Sequence, residues 1–533
     1  MTSTVVAEPA AAADRPPADP PEPAVRVPEI IRRRLAPLDR RFDGYSWLAA
    51  GIVALIAAIL RLVGLAHPRG KMFDELYYAT EAKSMLAHGV EWDDSNNTAK
   101  YVVHPPLGKW CIALGEWATK WTHDAEFGWR ISAAVAGIIT VLLITRIARR
   151  MFGSTVLGCA AGLLMTVDGM HFVLSRTALL DIFLLLFLLA AFGCLVLDRD
   201  ARRARWMRHL ESGADPARPG RASRPPFSWR HGVPWWRLAT GLLLGAAFAV
   251  KWSAIFYLPV FVGLIVAWEV GLRRSAGVRR PWRDTFLDET GWLVVSVALV
   301  PIVYLSSWAG WFATDDGWDR HWLQSQGKPE RPVIGALLNL WHYHQESLGF
   351  HSQLASSHPY QSWPWQWLLL GRPVAFYWSS AGPCGSNSCA SEVLLVGTPV
   401  LWWSFLVAIP LLVWFGIARR DWRMPAILLG AAAGIVPWFY WASHDRTMFY
   451  FYALPAEPFL ILAVVYVLGA LMRSSPNAPE SSLVDRRIVG AVVAGAYLAA
   501  VGLCFAYFYP VYTGQILTYA EWSARMWLGG RWI

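Results

Sequence analysis

Charged side chains are scarce: Asp, Glu, Lys and Arg make up 16% of the 533 residues, where soluble domains carry about 25%. That scarcity argues against a soluble enzyme with polar surfaces. The net charge of +10 comes without a compact Lys/Arg block bearing the signature of an RNA- or DNA-binding module, so no nucleic-acid partner is expected. No apolar run begins before Trp47, so the start of the chain is not read as a signal peptide. Residues 1 to about 28, rich in Ala and Pro, lack the apolar content to offset ordering entropy, and 1–45 is expected to be a disordered basic cytoplasmic tail. No internal repeat is visible, which counts against an inverted-repeat transporter. Only six cysteines occur, and no His/Cys spacing resembles a zinc site, so no metal is expected.

What is abundant is apolar and aromatic: 55% hydrophobic residues, with 32 Trp, 24 Phe and 18 Tyr. Indole favours the boundary between hydrocarbon and water, which suits apolar slabs with wetted ends. The chain is therefore expected to be an all-α polytopic membrane protein. Hydrocarbon about 30 Å thick needs about 20 apolar residues per helix. Such segments lie near 46–66, 130–150, 154–174, 177–197, 289–308, 396–417, 424–441, 449–471 and 488–509. The stretch 235–270, interrupted by Lys251, is too long for one span and reads as a helical hairpin, which makes about 11 transmembrane helices.

With the N-terminus cytoplasmic, the inner segments carry 7, 3, 10, 5, 3 and 3 Lys/Arg, 31 of the 48 in the chain, and every lysine falls outside. This is the positive-inside bias, and an odd number of spans puts the C-terminus outside. Residues 105–118, with Pro at the start and Lys109 and Glu116 within, are too short to span and are expected to lie as a helix on the outer interface. The expected organisation is a catalytic transmembrane module over 46–308 with an outer loop at 67–129, a second large outer loop at 309–395, and C-terminal helices with a short outer tail over 396–533. Function is expected outside, where the polar sequence is.

The first outer loop opens FDELYYATEAKSML. Adjacent Asp74 and Glu75 at an apolar boundary have pKa values raised by desolvation, and one can serve as a general base toward a hydroxyl. An acidic pair capping the helix that follows is the alternative. His104 and Lys109 of YVVHPPLGKW, with Arg61 and Arg130 at outer helix ends, form a ring of donors at headgroup height suited to an anionic lipid headgroup; snorkelling is the alternative for any one of them. Arg176 with Asp181, Lys251 with Trp252, and His444-Asp445-Arg446 add further outer charges, and Arg176 with Asp181 could be a plain buried ion pair. Asp168, within a span, could be a packed acid with a hydrogen-bond partner. In the second outer loop His342, His344, His351 and His358 lack the spacing of a zinc protease, and the aromatics Tyr360, Trp363 and Trp365 suggest a sugar- or peptide-contacting surface. Cys384 and Cys389 flank Gly-Ser-Asn-Ser in an oxidising compartment, where a disulfide and two free thiols are both open.

In order along the chain, FDELYY, HPPLGKW, FGWR, SRTALLD, KWSAIFY, HSQLASSHPYQSWPWQWLLLGRP and HDRTMFYFYALP resemble the protein O-mannosyltransferases, specifically their actinobacterial members. The resemblance implies a GT-C-type glycosyltransferase fold and transfer of mannose from a polyprenyl-phosphate carrier to Ser or Thr of secreted proteins. It implies that Asp74 is the base and that Glu75 helps hold the acceptor. Arg61 and Arg130 match functional arginines, and Lys109 and Lys251 match lipid-phosphate contacts. Donor contacts are further expected of His104 and Arg176, and acceptor or sugar contacts of Tyr77, Tyr78, His358, Tyr360 and Trp365. The β-trefoil insertion of eukaryotic members is missing from the second outer loop.

The implied chemistry suits these residues. A polyprenyl phosphate leaves as an anion that Arg and Lys stabilise, so no cofactor is obligatory beyond the lipid donor. One displacement inverts a β-linked donor to an α-mannoside. The expected setting is the plasma membrane, with the site on the extracytoplasmic side and exported Ser/Thr-rich proteins, handed over by the secretion machinery, as acceptors. The alternatives are a polyprenyl-phosphosugar transferase building envelope glycolipid and a lipid-linked sugar transporter.

Overall fold

The computed structural model describes residues 27–36, 38, 43–213, 233–472 and 480–533, the side chains of 480–486 excepted. Most of the N-terminal tail, with Arg40 and Arg41, and the middle of the basic loop between 199 and 237 lie outside the described residues.

Each apolar segment expected from the sequence contains a helix. Among the described residues nine helices are long and apolar enough to cross a membrane, and the shorter Thr155–Thr166 and Trp235–Val250 occupy two further apolar segments. The long stretch after residue 235 is a hairpin. Trp235–Val250 ends at Lys251, whose backbone is extended, and a tight turn over Trp252–Phe256 leads into the returning helix Tyr257–Ser275. The chain after Thr166 also breaks, because the Asp168 carboxylate accepts the His171 backbone N–H and caps the new helix Gly169–Leu174. Its other oxygen accepts from the Thr398 backbone N–H and Trp402 Nε1, so Asp168 is a packed, hydrogen-bonded acid.

The segment Tyr450–Leu471 forms the centre of the bundle, with 89% of its apolar window enclosed by protein, against 22% for Pro281–Ser307. Small residues permit close approach between helices, the usual device where lipid supplies no hydrophobic drive. A Cβ on Gly241 would overlap the Ser296 carbonyl where Trp235–Val250 lies on Pro281–Ser307. At the end of the hairpin away from Lys251, buried Arg237 pairs with Asp198, Glu269 and Glu289, tying four helices together.

The loop after the first span folds into the helix Glu75–His88, a short hairpin pairing Trp92–Asp93 with Thr98–Ala99, and the helix Leu107–Thr119. The last buries Gly108, Lys109, Ile112, Ala113 and Gly115 against protein and leaves Leu114 and Trp117 exposed.

The second outer segment corrects the all-helical expectation. After the helices Ile334–Gln353 and Pro364–Trp367, strands Val374–Ser379 and Cys389–Leu395 pair antiparallel, and Ile516–Thr518 from the C-terminal tail adds a third strand. VAFYWS and CASEVLL are rich in aromatic and aliphatic residues that fit a pleated, half-buried surface. The tail is held there by Trp522 Nε1 donating to Glu392 and by Trp532 Nε1 donating to the Leu370 carbonyl. Cys384 and Cys389 are disulfide-bonded across the turn, five residues apart in sequence. So short a loop limits the entropic gain, and Cys384→Ser is expected to cost about 2 kcal/mol. A shift in the thermal midpoint of the oxidised protein relative to the variant measures it.

Candidate active site

Asp74 and Glu75 have opposite fates. Glu75 is completely buried and its carboxylate takes four donors: Arg130 Nε at 2.9 Å, Arg130 Nη2 at 2.8 Å, and the backbone N–H groups of Met72 and Ala178, each at 2.9 Å. That saturation corrects its expected role at the acceptor. Asp74, at the N-terminus of Glu75–His88, is half-buried and caps nothing, and among the described residues its carboxylate accepts no hydrogen bond. The turn that presents it is set by Phe73, which adopts φ 46°. The Phe73 ring stacks on Phe376 at 4.7 Å and meets Phe449 and Phe451 edge-on at 6.0 Å each. Withdrawal from water pushes the Asp74 carboxyl up to about 6; Lys251 opposes the shift, while Asp181 and Glu81 add to it. A carboxylate of that pKa, without a protein partner, is matched to taking a proton near neutral pH.

Lys251, at the tip of the hairpin, donates to both oxygens of Asp181 at 2.9 and 3.0 Å and lies 5.0 Å from the centre of the Tyr452 ring. A cleft beside this pair is lined by Asp181, Lys251, Ser253, Tyr257, Trp438 and Tyr452. Arg446 borders it: its guanidinium is 5.8 Å from the Tyr452 ring, and Nε donates to the His351 carbonyl at 2.9 Å. His351 lies 5.2 Å from His104, and His104 lies 6.1 Å from Tyr78, ring to ring. Burial, with Lys251, His351, Lys109 and Arg446 nearby, holds His104 well below its usual range, so it is a neutral polar group here and not one of the expected cations. Burial, and then the Asp74 charge, push the Tyr78 phenol well above its usual range.

The expected ring of cations around a lipid phosphate is largely redirected inward. Arg130 also donates to the Leu65, Pro68 and Gly70 carbonyls. Arg176 is paired with carbonyls rather than with Asp181, donating to Leu60, Arg61, Val63 and Gly64 at the end of the first span. Arg61 is fully buried, with Nη2 2.8 Å from His171 Nδ1 and further donations to the Ala57, Met165 and Thr166 carbonyls. Lys109, also fully buried, bridges Glu81 and Glu91. The cause is common to all four. Helix ends and loops packed inside the protein present carbonyls and acids that water does not reach, and multi-donor cations satisfy them. Of the six donor contacts expected, only Lys251 lines the cleft, where it is paired with Asp181.

Among the expected acceptor contacts, His358 packs 6.4 Å from the Phe73 ring and accepts the Tyr360 backbone N–H at Nδ1, close to the Asp74 turn. Tyr360 lies beneath Arg372, Trp365 is exposed and stacked on Trp363, and Tyr77 is 57% exposed. Arg446, Tyr452 and Asp181 are the site residues that sequence reasoning undervalued. Their signal lay in HDRTMFYFYALP and SRTALLD, but a five-residue spacing suggested Arg176 as the partner of Asp181, whereas the hairpin brings in Lys251 across 70 positions.

The sequence pattern of the family described as dolichyl-phosphate-mannose-protein mannosyltransferase matches residues 51–304, and that of the C-terminal four-transmembrane region of protein-O-mannosyltransferase matches 336–532. A protein of Mycolicibacterium smegmatis named polyprenol-phosphate-mannose--protein mannosyltransferase is 38% identical over 524 residues, covering 95% of this chain and 96% of the relative. A Corynebacterium glutamicum protein of the same name is 33% identical over 507 residues, covering 91% and 93%. The Saccharomyces cerevisiae protein O-mannosyltransferase Pmt1-Pmt2 complex bound to the sugar donor superposes with a TM-score of 0.67 at 16% identity, over 95% of this chain and 94% of that one, which shows a shared fold.

Proposed function

The chain belongs to the dolichyl-phosphate-mannose-protein mannosyltransferase family, and from that premise we propose how its site works: Asp74 deprotonates a Ser or Thr hydroxyl of an exported protein while mannose leaves a polyprenyl-phosphate carrier. The enzyme is a polytopic glycosyltransferase that moves mannose from polyprenyl-phosphate-mannose to protein. The acceptor oxygen forms its bond to the anomeric carbon as the bond from that carbon to the phosphate oxygen breaks. The hydroxyl proton goes to the Asp74 carboxylate, and the bonding pair leaves with the lipid phosphate. The arrangement gives one displacement with inversion.

Lys251 in the lining of the cleft and Arg446 near the Tyr452 ring supply the positive charge for the leaving phosphate, and charge preorganised there lowers the barrier. The transfer step needs no cofactor beyond the lipid donor. The observation that carries this reading is the Asp74 carboxylate, which takes no hydrogen bond among the described residues and lies within electrostatic reach of Lys251. The charge bias of the loops supports an extracytoplasmic site in the plasma membrane, reached by acceptor proteins as the secretion machinery delivers them.

Purified protein given polyprenyl-phosphomannose and a Ser/Thr-rich peptide is expected to add a hexose to a hydroxyl side chain, read by mass spectrometry. Transfer to lipid acceptors with none to peptide would sink the proposal. The pH profile is a second check. A base must be ionised to act, so kcat/KM is expected to fall about tenfold per unit as pH drops below about 6. Replacing Lys251 by Gln removes the charge that opposes the shift, and the acidic limb is expected to move to higher pH. A flat profile down to pH 5 would exclude Asp74 as the base.

A further inference from the structure

We propose that Asp319, His342 and Glu346 form a divalent-metal site of the zinc class on the outer loop, apart from the reacting centre. Each offers one ligand atom, and those atoms all lie within 4.8 Å of one another. His342 and Glu346 are one turn apart on the helix Ile334–Gln353, and Asp319 comes from the preceding turn at φ 53°. Spacing along the chain hid the set, because its third member is contributed by tertiary structure and only one member is a histidine.

The separations favour a metal over an ion pair. His342 Nε2 is 3.5 Å from Asp319 Oδ2 and 3.5 Å from Glu346 Oε1. An imidazolium hydrogen-bonded to a carboxylate closes to about 2.7–2.9 Å. Two tetrahedral ligands each about 2.1 Å from zinc stand about 3.4 Å apart. The charges point the same way. Two carboxylates converge on one imidazole, and Arg320, next to Asp319 in the chain, is paired with Glu330.

The surroundings brace the would-be ligands. The Trp322 ring stacks on His342 at 3.9 Å and 16°, fixing the imidazole plane, and Trp318 Nε1 donates to Glu346 Oε2, leaving Oε1 turned toward the others. Outer-shell support of this kind orients metal ligands. An imidazole with two carboxylates suits zinc better than calcium or magnesium, which prefer all-oxygen shells, and water can complete the coordination on the solvent side.

A metal here would join the turn carrying Asp319 to the helix that holds Tyr343 against Val102, through a 2.8 Å hydrogen bond, and His351 beside His104. It would thus stiffen one wall of the outer module.

The test uses the full chain in detergent, stripped with chelator and titrated with zinc chloride at pH 7.5. Wild type is expected to retain about one zinc per chain after gel filtration, read by elemental analysis, and its thermal midpoint to rise with zinc. His342→Ala and Asp319→Asn are each expected to weaken zinc binding by more than the ~10–100-fold typical of losing an outer-shell partner, and to abolish the midpoint shift. Asp319→Asn keeps the side-chain volume, so it decides the matter if His342→Ala fails to fold. Equal zinc content in wild type and Asp319→Asn, or none in wild type, overturns the proposal.

Discussion

Asp74→Asn is expected to lower kcat by about 10²–10⁴-fold, the range that loss of a general base usually spans. The amide has the same shape and cannot accept the hydroxyl proton. Nothing in the fold depends on that carboxylate, since it caps no helix and takes no protein hydrogen bond among the described residues. KM for the peptide is therefore expected to change little. Stability supplies an internal control with a definite sign. Burial raises the Asp74 pKa to about 6, so ionisation of this group disfavours the folded protein above the unfolded value near 4, a penalty relieved as pH falls through 6. The neutral variant is thus expected to melt at or slightly above wild type at pH 8. Retention of more than a tenth of wild-type kcat by a folded Asp74→Asn protein would remove Asp74 from the chemistry.

Arg130→Ala is expected to be the most damaging substitution to stability. It leaves the Glu75 carboxylate buried without its two guanidinium donors and strips donors from the Leu65, Pro68 and Gly70 carbonyls. Breaking a buried ion pair from one side costs about 3–5 kcal/mol, and each unsatisfied buried group adds about 1–3 kcal/mol. Against a typical total of about 5–15 kcal/mol, the variant is expected to accumulate poorly and to be cleaved readily by protease in detergent. The double variant Glu75→Gln/Arg130→Met removes both charges together and is expected to be more stable than Arg130→Ala, because no lone charge remains buried. Should Arg130→Ala melt like wild type and lose only activity, the arginine acts on the donor and the structural role assigned here is wrong.

The chain's adjacent acids illustrate what can and cannot be read from residue order. DE at a membrane boundary announces an important pair, but which member is consumed by the fold depends on where Arg130 and the Ala178 N–H stand, 55 and 103 positions away. The same holds for the outer cations. Their placement at helix ends was legible, but whether each turns to the cleft or into protein is set by neighbouring carbonyls contributed by other helices. Arg176, four carbonyls deep in the end of the first span, and Lys251, facing Asp181 and the cleft, look alike in sequence.

The sequence by itself determined the apolar segments, the hairpin at Lys251 and the family. Each of these rests on local composition, on the length of chain needed to cross hydrocarbon, or on short ordered motifs. Tertiary structure alone decided the third strand lent by the C-terminal tail, the pairing of Lys251 with Asp181, the inward turn of Arg61, Arg130, Arg176 and Lys109, and the isolation of Asp74 as the one free acid of its pair. Those outcomes rest on contacts between residues far apart in the chain, where a buried polar group takes whichever partner the packing of other helices brings within hydrogen-bond reach.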